Sequence, residues 1–193
     1  MRESKLSRKT NETDIELKIN LDGSGNSDIN TGIAFFDHML NSFAKHGCFD
    51  LTIKARGDLT VDDHHTVEDV GITLGSAIVK ALGDKKGIER FADARVPMDE
   101  ALASASVDVS GRSFLVFNAK FTNPNIGGLT SQNVKHFFES VAANAGINVH
   151  LDATGENDHH KAEAAVKALA LSLRQAVALD SRRKGAPSSK GVI

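Results

Sequence analysis

A repeated cluster of histidines and carboxylates constrains this chain more than any other feature. The first copy begins at His64 and reads His-His-Thr-Val-Glu, and the second begins at His159 and reads His-His-Lys-Ala-Glu. Residues i and i+4 lie on one face of a helix, so His64 can act with Glu68 and His159 with Glu163. The second histidine of each pair is rotated by about 100° and cannot easily bind the same ion. The spacing therefore predicts two metal ions, each receiving a His–Glu pair from one cluster and a single histidine from the other.

The hydrophobic pattern repeats together with these clusters. Apolar residues alternate over residues 15–21 and 101–109, as in half-buried strands, and each stretch is followed by a second strand, a helix, a third strand and the cluster helix. We therefore predict an α+β fold of two similar ββαβα halves, each a small mixed sheet with helices on one face. The first half is placed at residues 1–92, the second at 93–180, and a mobile, basic tail at 181–193.

Composition excludes several classes of partner. The formal net charge of −2 provides no basic footprint for nucleic acid. No stretch approaches the roughly 20 apolar residues that span a bilayer, and the N-terminus lacks an apolar signal region. The single cysteine, Cys48, cannot form an internal disulfide, which suits a reducing compartment. We expect a cytoplasmic protein with neither nucleic acid nor membrane as a partner.

The histidines supply most of the predicted metal ligands. His38 and His136 lie on the helices that precede the two clusters, so six of the eight histidines occupy matched positions. Six imidazoles and two carboxylates give each ion three nitrogens and one oxygen, which leaves two positions of an octahedron for substrate or water. The absence of thiolates disfavours structural zinc. Manganese fits this mixed site, with iron, cobalt or zinc as alternatives.

Several polar residues have both an ordinary and a functional interpretation. Residues 7–14 are compatible with a disordered terminus or with substrate contacts. Arg90, Arg112 and Lys167 are surface cations in the ordinary interpretation. Lys167 also lies two turns beyond His159 on nearly the same helix face, which favours its contact with whatever the metal ions bind. The hydroxyls and ammonium of residues 188–190 suit a phosphate group, although their composition is also that of a solvated tail.

Taken together, these motifs resemble the imidazoleglycerol-phosphate dehydratase family of histidine biosynthesis. Seven stretches carry the resemblance, in order over nearly the whole chain: residues 8–13, 32–40, 62–69, 108–112, 136–140, 157–160 and 187–191. The second cluster departs from the family pattern at Lys161 and Ala162, where aliphatic residues are more usual, and the loop before it is slightly short. Neither departure affects a ligand.

The resemblance implies a fold, ligands and an assembly. The fold is similar to the second domain of ribosomal protein S5. The implied cofactor is Mn²⁺, two ions per active site, one held by His38, His65, His159 and Glu163 and the other by His64, Glu68, His136 and His160. Implied substrate contacts are Glu12, His38, His46, His64, His65, Glu68, Arg90, Arg112, His159, Lys167, Ser188, Ser189 and Lys190. Family members form trimers that pack into a 24-subunit particle, with ligands shared between subunits.

The implied reaction converts imidazole glycerol phosphate into imidazole acetol phosphate by loss of water. Two ions that each bind one ring nitrogen would hold the imidazole as imidazolate, which helps expel the neighbouring hydroxyl. Glu12 is the candidate base and His46 the candidate acid, while Arg90, Arg112, Lys167 and residues 188–190 hold the phosphate. A two-metal phosphohydrolase is a rival interpretation, disfavoured because carboxylates are only two of eight ligands. A metal-assembled scaffold or storage protein is another, but it does not explain Glu12 or the phosphate-suited cations.

Overall fold

The chain folds into two similar halves in a computed structural model that describes residues 2–191 and residue 193. The first half contains β1 (Glu3–Lys9), β2 (Thr13–Asn20), β3 (Ser27–Asn30), α1 (Ala34–Gly47), β4 (Asp50–Gly57) and α2 (His64–Leu82). The second contains β5 (Phe91–Met98), β6 (Ala101–Asp108), β7 (Phe114–Ala119), β8 (Asn125–Ile126), β9 (Leu129–Thr130), α3 (Ser131–Ala145), β10 (Asn148–Thr154) and α4 (Asp158–Ala176). The α+β class expected from the sequence is confirmed.

The two four-stranded sheets have the same topology. Their strand orders are β1-β2-β4-β3 and β5-β6-β10-β7. In each sheet the last pair, β3 with β4 and β7 with β10, is parallel, and the other pairs are antiparallel. The short strands β8 and β9 form a separate hairpin in the second half. The half boundary placed after residue 92 stays a prediction, with β5 starting at Phe91.

Each four-stranded sheet contains one edge strand more than the expected ββαβα order, and the second half also contains the β8–β9 hairpin. In β1 the only buried side chain is that of Ser4, so the strand has no apolar alternation to reveal it. In β5 no side chain is fully buried, Phe91 is exposed, and Pro97 occupies a position that only an edge strand tolerates readily. Edge strands bury little apolar surface, which is why hydrophobic periodicity predicted the inner strands and missed these two.

The helices of the two halves pack against each other between the sheets. Helix α2 lies on β1 and β2, and α4 lies on β5, β6 and β10, while α2 also packs on α3 and α1 on α4. The rings of Phe36 and Phe137 meet edge to face in the shared core, with centroids 5.2 Å apart. Each helix that carries a His-His-x-x-Glu cluster therefore lies beside a helix of the other half: α3 lies beside α2, and α1 lies beside α4.

Two glycines allow α2 to approach α3 closely. A Cβ atom on Gly71 would lie 2.7 Å from Cβ of Ser140, and one on Gly75 would lie 2.7 Å from the carbonyl oxygen of Val141. Both distances are too short for a real contact, so these positions require glycine for this helix spacing.

The chain after residue 180 runs back along residues 87–90, which precede β5. The amide of Gly87 donates to the carbonyl oxygen of Gly185 at 3.1 Å, and Arg90 Nη1 donates to that of Pro187 at 2.9 Å. The mobility expected for residues 181–193 stays a prediction. Within residues 2–191 and 193, no helix is long and apolar enough to cross a membrane.

Candidate metal centre

The first group of candidate ligands lies where α1 packs on α4. His38 of α1 and His159 of α4 both place Nε2 at 3.1 Å from Oε2 of Glu163. Candidate ligand atoms of the three residues all lie within 4.8 Å of one another. His159 and Glu163 are one helical turn apart, as the i,i+4 spacing predicts, and the third residue comes from the other half.

The second group repeats this arrangement where α2 packs on α3. His64 and Glu68 are one turn apart on α2, and His136 of α3 joins them with all candidate ligand atoms within 4.8 Å. The rings of His64 and His136 are stacked with centroids 4.6 Å apart and planes at 19°. Oε1 of Glu68 lies 3.2 Å from Nε2 of His136. Each group therefore combines the His–Glu pair of one half with a histidine of the other.

The chemistry of these groups fits a bound cation. Nε2 of His136 is buried and, although Oε1 of Glu68 lies 3.2 Å away, the angles do not give a hydrogen bond to it within the described part of the chain, as expected of a nitrogen whose partner is an ion. Burial acts to raise the pKa of Glu163, but hydrogen bonds from Lys167 and His38 outweigh it and hold that pKa at about 2. The carboxylate is therefore ionised at neutral pH. A mixed set of imidazole nitrogens and carboxylate oxygens suits a divalent first-row metal ion.

His65 and His160 lie outside both groups. Their rings stand nearly perpendicular to those of the preceding histidines, at 80° for His64–His65 and 85° for His159–His160. Successive helical residues are rotated by about 100° around the helix axis, so His65 and His160 project from a different side of α2 and α4 than His64 and His159 do. The structure thus assembles three of the four ligands that the resemblance implies for each ion. The assignment of His65 and His160 as the fourth ligands stays a prediction.

Both outlying histidines are surrounded by carboxylates. Nδ1 of His65 lies 3.0 Å from Oδ2 of Asp58, and Nδ1 of His160 lies 2.8 Å from Oε2 of Glu100. On the opposite side of each ring, Nε2 of His65 is 3.7 Å from Oε1 of Glu12, and Nε2 of His160 is 3.7 Å from a carboxylate oxygen of the β5–β6 turn, Oδ2 of Asp99. Glu12, the candidate base, therefore lies beside a candidate ligand.

Lys167 and His46 lie near the first group. Nζ of Lys167 is 2.8 Å from Oε1 of Glu163, one turn away on α4. His46, in the last turn of α1, has a pKa lowered first by burial and then by the positive charge of Lys167. Both candidate substrate contacts thus lie within electrostatic range of Glu163.

The remaining candidate phosphate contacts form a separate set around Asp108. Arg90 donates from Nε to Oδ1 of Asp108 at 2.7 Å and from Nη2 to Oδ2 at 3.3 Å. Arg112 is exposed, with Nη2 at 3.7 Å from Oδ2 of Asp108. Ser188 and Lys190 belong to an exposed turn in which the amide of Lys190 donates to Oγ of Ser188 at 3.2 Å, and Ser189 lies between them. Among the described residues, no hydrogen bond or ion pair connects this set to either histidine group.

Four polar residues around the histidines were not recognised from the sequence. They are Asp58, Asp99, Glu100 and Asn133, whose Oδ1 lies 3.2 Å from Nδ1 of His64. Asp58 belongs to an acidic loop directly before the first cluster, which is a weak local signal. The others come from distant parts of the chain, and only the pairing of β5 with β6 and of α2 with α3 brings them to the histidines.

Known proteins with the same sequence pattern and fold identify the family of this site. A family model described as imidazoleglycerol-phosphate dehydratase matches residues 31–173. Two proteins of that name, from Methanosarcina mazei and Methanocella arvoryzae, are 56% and 58% identical to the chain, and each alignment covers 100% of both proteins. A crystal structure of this enzyme from Staphylococcus aureus is 36% identical with a TM-score of 0.84, covering 92% of this chain and 99% of that one. One from Pyrococcus furiosus is 35% identical with a TM-score of 0.84, covering 97% and 100%.

Proposed function

The chain belongs to the imidazoleglycerol-phosphate dehydratase family and is a hydro-lyase of histidine biosynthesis, and from this premise we propose that it converts imidazole glycerol phosphate into imidazole acetol phosphate at a two-manganese site. The observation that carries this proposal is the pair of His/Glu groups at equivalent places in the two halves. A substrate with two ring nitrogens and a site with two cation-binding groups are chemically matched. Neither a phosphohydrolase nor a scaffold explains that match.

We assign His38, His159 and Glu163 to one ion and His64, Glu68 and His136 to the other. His65 would complete the first set and His160 the second. Because neither ring lies in a group of its own chain, we infer that they bind the ions of neighbouring subunits. Each ion then has three nitrogens and one oxygen from protein, and two octahedral positions remain for substrate or water.

Two bound ions would supply positive charge on both ring nitrogens, so that the substrate's imidazole is held as imidazolate. The protein's own task is to move protons and to hold the phosphate. Glu12 is the proposed base, because it is an exposed carboxylate on the β1–β2 turn, within 3.7 Å of a candidate ligand ring. His46 is the proposed acid for the leaving hydroxyl. Burial and the charge of Lys167 lower its pKa, so a protonated His46 would release its proton more readily.

The phosphate is proposed to lie among Lys167, Arg90, Arg112 and the turn at residues 188–190. Asp108 already orients Arg90 through two hydrogen bonds, and Arg90 in turn donates to the carbonyl oxygen next to this turn. A guanidinium held in this way loses little side-chain entropy when it binds a phosphate. This arrangement supports a common phosphate-binding role for Arg90 and the tail.

We further propose that subunits associate into trimers and a 24-subunit particle, as the family resemblance implies, because in the proposed arrangement a second chain completes each ligand set. Metal binding would then contribute to assembly as well as to catalysis. A cytoplasmic location stays a prediction.

The test is to incubate the manganese-loaded protein with imidazole glycerol phosphate and to identify the product by mass spectrometry. Formation of the dehydrated ketone supports the proposal, release of inorganic phosphate supports a hydrolase, and no turnover supports a scaffold. His64→Ala should lose one ion of the site and nearly all turnover, because water does not reproduce the geometry of an imidazole ligand. Unchanged metal content in that variant would contradict the ligand assignment.

A further inference from the structure

We propose that Asp58 and Glu100 are positioning residues that fix the tautomer and the ring orientation of His65 and His160, so that Nε2 of each is presented to a metal ion. The inference rests on the proposed function, because it concerns how two of its ligands are prepared. It adds two residues that the ligand sets do not contain. It also assigns a role to contacts that would otherwise be incidental surface ion pairs.

The geometry of the two histidines is the same. Nδ1 of His65 lies 3.0 and 3.3 Å from the two carboxylate oxygens of Asp58. Nδ1 of His160 lies 2.8 Å from Oε2 of Glu100. A neutral imidazole carries a single N–H, so donating it from Nδ1 leaves the lone pair on Nε2. A carboxylate partner also increases the basicity of that lone pair and holds the ring plane.

The two carboxylates reach these rings from different parts of the fold. Asp58 directly follows β4 in its own half, whereas Glu100 lies in the turn between β5 and β6. β4 starts at Asp50 and β10 at Asn148, an offset of 98 residues, so the repeat equivalent of Asp58 is Glu156. The Glu156 side chain enters no hydrogen bond or ion pair within the described residues. The repeat equivalent of Glu100, which directly precedes β6, is Glu12, which directly precedes β2 and lies 3.7 Å from Nε2 of His65. The acids that meet Nδ1 of the two histidines are therefore not repeat equivalents, although both halves place a carboxylate on that nitrogen.

Glu100 is itself held in place. Its Oε1 accepts hydrogen bonds from the amides of Glu156 at 3.1 Å and Asn157 at 2.7 Å, which leaves Oε2 for His160. Asn157 in turn caps α4 by accepting from the amide of His159 at 2.9 Å. The carboxylate is therefore pre-oriented by the same loop that starts the cluster helix, and an ion that binds His160 does not have to order it.

The experiment compares Mn²⁺ binding by metal-free wild type, Asp58→Asn, Asp58→Ala, Glu100→Gln and the control Glu156→Gln. Free Mn²⁺ is measured by electron paramagnetic resonance during titration, and the melting temperature of each metal-free protein is recorded. We expect the Kd for Mn²⁺ to rise by about 10- to 100-fold in Asp58→Asn and Glu100→Gln. Asp58→Ala should bind more weakly than Asp58→Asn, because asparagine retains an oxygen that accepts from Nδ1. Glu156→Gln removes the same charge beside the same helix and should bind as wild type does.

The readouts separate positioning from simple structural support. A lowered melting temperature with unchanged Mn²⁺ affinity would overturn the inference, and so would equal losses of affinity in Glu156→Gln and Glu100→Gln. Glu100 also supports the loop before α4, so Glu100→Gln can fail to fold for that reason alone. In that case the Kd values of wild type, Asp58→Asn and Asp58→Ala, in that order of weakening affinity, test the inference by themselves. Failure of wild type to bind two Mn²⁺ ions per chain would instead refute the proposed function. Wild-type binding with unaffected variants would refute only the roles of Asp58 and Glu100.

Discussion

Replacing Gly71 by alanine should separate α2 from α3 and weaken one of the two metal sites selectively. The added Cβ would lie 2.7 Å from Cβ of Ser140 and 3.2 Å from the carbonyl oxygen of Phe137. Neither atom can rotate away, because one is a backbone oxygen and the other is bonded directly to the backbone. Gly71 is also one turn from Glu68, and Phe137 follows His136. A displacement at this point therefore acts directly on the second ligand group.

The expected displacement follows from these distances. An ordinary carbon–carbon contact is about 3.5–4.0 Å, so the two helices must separate locally by about 1 Å. Metal–ligand distances tolerate only about 0.2 Å, so Glu68 and His136 would no longer fit one ion without side-chain strain. Overpacking costs about 1–3 kcal/mol, and alanine recovers about 1 kcal/mol of helix propensity over glycine. The net loss of folding stability is therefore about 0–2 kcal/mol, which leaves the protein folded.

Titration of metal-free Gly71→Ala with Mn²⁺ is the assay. We expect one class of sites to keep its wild-type Kd and the other to weaken by at least about tenfold, since the α1–α4 interface that holds the first group is unaltered. Ser76→Ala is the control, because it changes a half-buried residue of the same helix without adding an atom. Two sites of unchanged affinity in Gly71→Ala would refute the argument that helix spacing sets the ligand geometry.

Four further predictions concern other parts of the molecule. Glu12→Gln should lower kcat by about 10² or more with little change in substrate affinity, since it preserves shape and removes the base; near-normal turnover would exclude that role. Deleting residues 188–193 should raise KM with little effect on the melting temperature, and the opposite result would show a structural tail. Asp50→Ala should cost about 0.5–1.5 kcal/mol at pH 7, because one carboxylate oxygen accepts the exposed amides of Ser24 and Asn26 at 3.0 Å each. Those backbone hydrogen bonds lower the pKa of Asp50 in the folded protein. The contribution of Asp50 to folding stability is therefore present above the unfolded pKa of about 3.9 and is lost as the pH falls through the lower folded pKa. The melting temperatures of wild type and variant should converge in acid. Light scattering should show a large particle with manganese at neutral pH and a much smaller one, the size of a trimer, after chelation or at pH 5, because imidazole ligands must be neutral to bind; equal masses under all three conditions would contradict metal-dependent assembly.

The sequence predicted the inner elements of the fold well because they bury one apolar face. The alternation at Ile15, Leu17 and Ile19 corresponds to β2, whose inward side chains are almost completely buried. The helical spacing at Phe36, Met39 and Phe43 likewise corresponds to α1. Periodicity gives no comparable signal for β1 and β5. An edge strand is held mainly by backbone pairing with its neighbour, and few of its side chains are buried.

For the site, local spacing predicted which residues act together on one helix but not which helices meet. The pairing of His64 with Glu68 follows from one helical turn. The placement of His136 beside them depends on α2 packing against α3, a tertiary contact that no sequence window contains. Of the carboxylates around His65 and His160, Asp58, Asp99 and Glu100 were missed for the same reason. Asp58 and Glu100 are ordinary acidic residues until the fold brings them within hydrogen-bonding distance of a ring.

The packing of helices across the two halves also bears on the proposed assembly. Each three-residue group uses both halves, and the proposed fourth ligands, His65 and His160, lie in neither group. Their side chains are 31% and 24% exposed. In the proposed arrangement each ligand set therefore lacks one ligand in its own chain, and each of these two histidines lacks an ion there. A symmetric assembly of identical chains would supply both, because an interface that brings His65 to one neighbour's ion is repeated around the symmetry axis.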